Sequence, residues 1–203
     1  MKLEKTAKQI QTQVDCLKRA GMFDATVLGF GGLIGYCREP QMVNFNDDDL
    51  DLIIFENMVT REQEEAYMIY CEEEGLFRYR KRTQRHPVTG RLFWISMRMF
   101  PRSQSWKCCH WFMWRHKGII WHCKGVDALI KGIPADLFEP GLTVPYLGTE
   151  IKIPKSPGAC LDFWYPNWVT PRDGGKSSFQ LLMKCPNWKE KDTWTIEKRL
   201  TKA

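Results

Sequence analysis

The stretch Asn46-Asp47-Asp48-Asp49-Leu50-Asp51-Leu52 holds the residue types in this chain best suited to chemistry. A strand repeats every two residues, so Asp47, Asp49 and Asp51 would share one face. Three carboxylates crowded together repel unless a cation sits between them. Mg2+ and Mn2+ prefer oxygen ligands and often complete their shells with substrate phosphates. The apolar run Leu52-Ile53-Ile54-Phe55 follows at once, which is unusual for a solvated acidic turn and anchors the strand in a core. A calcium-binding loop fails, because its sixth position would be Leu52 in place of glycine and its twelfth Met58 in place of glutamate. Asp49 and Asp51 are the expected metal ligands, with Asp47 as a third ligand or a base.

A short way upstream, Gly29, Gly31, Gly32 and Gly35 follow a short apolar strand expected over residues 26–30. Glycines there let backbone amides approach a phosphate closely, above all where a helix begins. Arg38 would add a charged contact. A tight packing turn accounts for these glycines equally well. A phosphate cradle beside a carboxylate pair suits phosphoryl or nucleotidyl transfer, where catalysis is mostly positioning and neutralisation of charge.

The elements that must position these residues are readable in outline. Leu3, Ala7, Ile10, Val14 and Leu17 predict an amphipathic helix over residues 2–20, ended by Gly21. Residues 49–56 predict a central strand. Thr60 and Gln63 form a capping-box pattern for a helix closed by Gly75. Residues 76–82 and 91–100 predict a hairpin around His86-Pro87-Val88-Thr89-Gly90, and a second hairpin joins 106–115 to 119–124. A short helix is expected over 126–131. Another runs from the Ser156-Pro157 cap to Tyr165. Helices mixed with central and hairpin strands indicate an α+β fold, a mixed sheet flanked by helices. One domain over residues 1–175 is expected, followed by a polar, lysine-rich tail over 176–203 that is either docked or partly disordered.

At 203 residues and 43% hydrophobic, the chain suffices for one sizeable core, burying roughly 70% of its unfolded surface. The excess of 30 Lys+Arg over 24 Asp+Glu favours anionic partners without choosing among them. No run approaches the length of a membrane helix, and the start MKLEKTAKQI does not read as a signal peptide. The eight cysteines lack a regular framework, so free thiols in a reducing, cytoplasmic setting are the expectation.

Read together, Gly31-Gly32-Leu33-Ile34-Gly35-Tyr36-Cys37-Arg38 and Val43-Asn44-Phe45-Asn46-Asp47-Asp48-Asp49-Leu50-Asp51 resemble the glycine-turn and triple-aspartate signature of the LicD and fukutin family. Phe138-Glu139-Pro140, Pro145-Tyr146-Leu147-Gly148, Ile153-Pro154-Lys155 and Leu161-Asp162-Phe163-Trp164-Tyr165-Pro166-Asn167-Trp168 are similar to that family's closing pattern. The resemblance spans residues 20–172. It implies a nucleotidyltransferase-like fold with a C-terminal strand-helix extension. It further implies transfer of phosphocholine or a phospho-alditol from a CDP-linked donor to a sugar hydroxyl, with Mg2+ or Mn2+ as cofactor. Carried over residue by residue, Asp49 and Asp51 become metal ligands, Asp47 their helper, and Gly31, Gly32 and Arg38 donor-phosphate contacts.

Two positions depart from the family pattern. Gly32 stands where a small hydroxyl residue is usual. In Ser96-Met97-Arg98-Met99-Phe100-Pro101, Arg98 stands where a later strand usually carries a further aspartate. Asp47 then substitutes for that acid, or Arg98 contacts phosphate, or the chain binds without turnover. The leading expectation is a phosphotransferase that takes its group from a nucleotide-activated donor, a CDP conjugate favoured, and gives it to a sugar or glycan. The alternatives are a nucleotidyltransferase and a catalytically degenerate nucleotide- or glycan-binding protein.

Two other groups of residues stand apart. Cys108-Cys109-His110, His116 and His122-Cys123 fit no standard zinc spacing, and hairpin packing is the simpler reading. Arg78-Tyr79-Arg80-Lys81-Arg82, with Arg85 and His86, is the most basic stretch. A solvated hairpin face is its default, and contact with an anionic acceptor or nucleic acid is the alternative. Most tryptophans are expected in the core, with Trp168 the best candidate for lining a site.

Overall fold

The computed structural model describes residues 2–38, 49–85, 92–101, 107–116, 118–123, 129–165, 168–169 and 193–195. Apolar residues at helical spacing drive the first element, α1 (Lys2–Arg19), whose Ile10, Val14 and Leu17 are fully buried. Gly21, at φ +69, ends it in the left-handed conformation that glycine adopts without strain.

The chain then enters β1 (Thr26–Leu28), α2 (Phe30–Arg38) and β2 (Asp49–Phe55). Helix α3 (Arg61–Glu73) begins with the capping box read from sequence: Gln63 N–H donates to Thr60 Oγ1 at 3.2 Å, and Thr60 N–H donates to Gln63 Oε1 at 2.9 Å. Next come the hairpin strands β3 (Leu76–Arg85) and β4 (Leu92–Pro101), then β5 (Lys107–His116) and β6 (Ile119–Cys123). The helix expected over 126–131 is not formed where that stretch is described: residues 129–131 open β7 (Leu129–Pro134), which pairs with β6. Its backbone pairs with a strand on either side, a long-range gain that local periodicity does not register.

A small hairpin, β8 (Leu142–Tyr146) and β9 (Thr149–Ile153), precedes α4 (Pro157–Trp164). Pro157 occupies the first turn as expected, whereas the Ser156 side chain makes no capping hydrogen bond. Of the expected tail, the described residues form β10 (Thr193–Thr195), which pairs antiparallel with β7.

The fold is α+β, with a mixed sheet at its centre. Strand β2 lies between β1, antiparallel, and β5, parallel. On the opposite edge β5 pairs with β4 through Cys108–Trp111 and with β6 through Met113–His116. Strand β3 continues the sheet beyond β4. Contacts at β5 identify the two faces. His110 meets Tyr67 of α3, ring centroids 5.5 Å apart, so α3 covers that face. Trp111, one residue on, meets Phe30 of α2 at 5.6 Å, so α2 covers the other. No described helix is long and apolar enough to cross a membrane.

Candidate active site

The site begins with the way β1 hands the chain to α2. The β1–β2 ladder ends at Leu28 opposite Leu52, and Gly29 N–H extends it by donating to the Asp51 carbonyl at 2.9 Å. A Cβ on Gly29 would stand 2.6 Å from Ile53 Cδ1, so any larger residue there would have to displace that buried side chain. Phe30 then takes φ 41, unusual for a residue with a side chain, and turns the chain into α2 directly above β2. The first turn of α2 therefore faces back onto the aspartate strand. Gly31 N–H donates to Asp51 Oδ2 at 3.3 Å.

A second donor comes from the neighbouring strand. Trp111 Nε1–H reaches Asp51 Oδ1 at 2.7 Å. Both carboxylate oxygens thus accept from N–H groups, although Asp51 is only 8% exposed. Enclosing a carboxylate this far is costly unless its acceptors are satisfied. Here the positive end of a helix and an indole donor meet that demand.

The remaining expected site residues are placed as follows. Asp49 opens β2 opposite Lys107 of β5, and by strand alternation residues 49 and 51 lie on the same face. Asp47 lies outside the described residues. Gly31 and Gly32 lie in the first turn of α2, so the expected glycine turn is a helix start and the turn itself is Gly29-Phe30. A Cβ on Gly32 would come within 2.7 Å of Leu28 Cδ1 and 3.4 Å of Leu50 Cδ1, so this glycine lets the helix sit against the strands. Arg38 ends α2, and its guanidinium donates from both Nε, at 2.9 Å, and Nη2 to the Trp168 carbonyl. Arg98 lies in β4 opposite Cys109, which is opposite Asp51, so the three share one register row.

Trp111 and Phe30 were not foreseen as site residues. Phe30 packs between Trp111, edge-to-face at 5.6 Å between centroids, and Trp164, tilted at 4.6 Å. The sequence signal, an aromatic in an apolar strand, is that of any core tryptophan. Its role depends on the β2–β5 register. Trp168 donates through Nε1 to Asp162 at 2.8 Å while its carbonyl receives Arg38, so it ties α4 to the end of α2.

The oxygen chemistry expected for Mg2+ or Mn2+ is present at β2, where residues 49 and 51 share a face and the Asp51 carboxylate is held in place. Among the described residues, no three His, Cys, Asp or Glu side chains group closely enough to hold a metal ion. Cys108 and His110 belong instead to a buried network on the face covered by α3. There Gln13 donates to the Tyr67 hydroxyl, Tyr67 Oη lies 2.6 Å from His110 Nε2, and Cys108 Sγ lies 3.7 Å from the same nitrogen. Burial drives the Tyr67 pKa well above its ordinary value, so this phenol keeps its proton, and the direction of its hydrogen bond with His110 follows the imidazole tautomer.

No family model matches the chain, and no curated protein matches it. Among solved structures it is similar to a lincosamide antibiotic adenylyltransferase, LnuA, determined with lincomycin bound. That similarity has a TM-score of 0.47 at 12% identity, covering 88% of this chain and 94% of the other.

Proposed function

We propose that the chain is a metal-dependent transferase of phosphorus-containing groups, moving a phospho-substituent from a nucleotide-activated donor, a CDP conjugate favoured, to a sugar hydroxyl. The observation that carries this reading is the convergence at Asp51 of an aspartate strand and a helix N-terminus, joined by the Gly31 N–H at 3.3 Å. Carboxylates attract a divalent ion and helix amides attract a phosphate. Few arrangements present both to one point.

In this reading Asp49 and Asp51 hold Mg2+ or Mn2+, and Asp47 is a third ligand or the base. The ion, when bound, neutralises the donor diphosphate. Gly32, in the first turn of α2, offers a backbone N–H to the same phosphates, while the Gly31 N–H and Trp111 keep Asp51 aimed. The acceptor hydroxyl oxygen forms a bond to the transferred phosphorus, the bond from that phosphorus to the bridging oxygen breaks, and a nucleoside monophosphate leaves. The hydroxyl proton passes to a carboxylate or to water. Arg38, engaged with Trp168, closes the α2–α4 side of the site. Similarity to the LicD and fukutin family at the motifs quoted above supports the choice of donor.

The test is thermal-shift binding of CDP-choline, CDP-ribitol and CTP with Mn2+, Mg2+ or EDTA, on wild type and Asp51→Asn. Stabilisation by a conjugate that needs metal and vanishes in the variant is expected. Failure of every conjugate to bind with metal would overturn the reading. Where turnover is seen, product mass separates a transferred phospho-group from a nucleotidyl group added to the acceptor.

A further inference from the structure

The basic stretch of β3 is not used by the proposed chemistry, yet the sheet brings part of it to the same face. Register partners in a sheet share a face. One row runs Asp51, Cys109, Arg98, Arg80 across β2, β5, β4 and β3. The next runs Ile53, Trp111, Ser96, Arg82. Trp111 meets Phe30 of α2, so both rows belong to the face that carries Asp51. The alternate row, Leu52, His110, Met97, Lys81, belongs to the face covered by α3, where His110 meets Tyr67.

A register shift between Arg78 and Arg80 sharpens this division. Strict alternation would put Arg78, Arg80 and Arg82 on one face. Instead Arg78 pairs with Met99, which pairs with Cys108, and so falls on the α3 face, while Arg80 pairs with Arg98. The bulge re-aims the strand, as bulges near functional sites do. Three arginines are thereby collected on the aspartate face. At roughly 4.8 Å between strands, Arg98 stands about 10 Å from Asp51 along the row and Arg80 about 14 Å.

From this juxtaposition we infer that Arg80, Arg82 and Arg98 form a binding track for a second anionic group, phosphate-like in chemistry, carried by a substrate whose reacting end lies at Asp51. Arginine suits such a group because its planar fork pairs bidentately with phosphate oxygens. A span of about 10–14 Å exceeds a diphosphate held at the aspartates, so the anion is a further group. It belongs to the acceptor, because a CDP-choline- or CDP-ribitol-like donor carries no anion beyond its diphosphate. This inference rests on the proposed function for the meaning of Asp51, while the anion track itself needs no metal.

The experiment titrates the full chain with inorganic tripolyphosphate in EDTA, following tryptophan fluorescence and calorimetry. Wild type is expected to bind, with affinity falling as salt rises. Arg80→Gln combined with Arg82→Gln, and separately Arg98→Gln, should each weaken binding 10-fold or more, with Arg98→Lys restoring part of it. Lys81→Gln, on the other face, should change it less than 2-fold, and Asp51→Asn should leave it intact. Equal losses for Lys81→Gln and the arginine variants, or no loss for the arginine variants, would overturn the track. Persistence in Asp51→Asn and EDTA separates this result from the metal-dependent donor binding that tests the proposed function. A fall in CDP-conjugate affinity in the arginine variants would overturn the track as a second site and place these arginines at the donor diphosphate. Unchanged conjugate affinity with tripolyphosphate binding lost assigns the anion to the acceptor.

Discussion

Trp111 Nε1 donates to Asp51 Oδ1 across 2.7 Å, although Trp111 lies opposite Ile53, two residues beyond the direct strand partner of Asp51. The bond is diagonal. It therefore fixes both the β2–β5 register and the orientation of the carboxylate. Trp111→Phe keeps the ring against Phe30 and deletes the donor. Affinity for Mn2+ with a bound nucleotide conjugate should fall about 10-fold, while stability falls by about 1–3 kcal/mol, the cost of a buried acceptor losing its partner. Calorimetric titration alongside a thermal melt checks both. Unchanged metal affinity would assign Trp111 to packing alone.

Gly29→Ala should be the most damaging of the glycine substitutions. Its Cβ would meet the buried Ile53 side chain at 2.6 and 2.7 Å, beneath the turn that aims α2. Overpacking of this kind costs about 1–3 kcal/mol, about 2–12 °C in Tm for a chain of this size. Gly75→Ala meets nothing within 4 Å and carries only the strain of φ +76, about 1 kcal/mol. Comparing the two melts separates crowding from backbone strain.

Arg38→Gln should act through the α2–α4 contact. Two guanidinium nitrogens serve the Trp168 carbonyl, and loss of a charged donor costs about 1.5–3 kcal/mol. Faster hydrogen exchange around residues 164–168 is the expected sign. A variant with wild-type stability but weakened donor binding would instead place Arg38 at the phosphate.

Alkaline pH should destabilise the fold in a defined window. Burial, with a smaller contribution from Cys37, pushes the Cys160 thiol from 9.0 up to about 12, and burial pushes the Tyr146 phenol from 10.0 up to about 12. Both folded-state values are raised. The stability they contribute is complete below the unfolded values and is lost as pH climbs from about 9 toward 12, at up to about 1.4 kcal/mol per pH unit per group. Melting temperatures between pH 7 and 11 should bend downward above pH 9. Cys160→Ala should make that slope shallower whatever it does to the neutral-pH value.

Thr60→Ala tests the most local feature. Removing the Oγ1 acceptor for Gln63 N–H should cost about 1 kcal/mol at α3. Donor binding at Asp51 should be unaffected, since α3 lies on the opposite face of the sheet. A thermal melt and one donor titration suffice.

What the sequence determined by itself was short-range or periodic. The repeat in α1, the Thr60–Gln63 capping box, the apolar half of β2 and the alternation that puts residues 49 and 51 on one face all depend on neighbours within a few positions. The pairing of a glycine stretch with an aspartate strand was legible for the same reason. Only the tertiary structure decided which residues meet those aspartates. The diagonal Trp111 bond, the Phe30 turn that aims the Gly31 amide, the row linking Arg98 and Arg80 to Asp51, and the Arg38–Trp168 clasp all depend on register or docking between distant segments. Residues 129–131 carried a helix-like pattern but joined a strand, because pairing with β6 outweighs weak local preference. Register and docking are set by the free energy of the whole sheet and its helices, a quantity no local window of the chain contains.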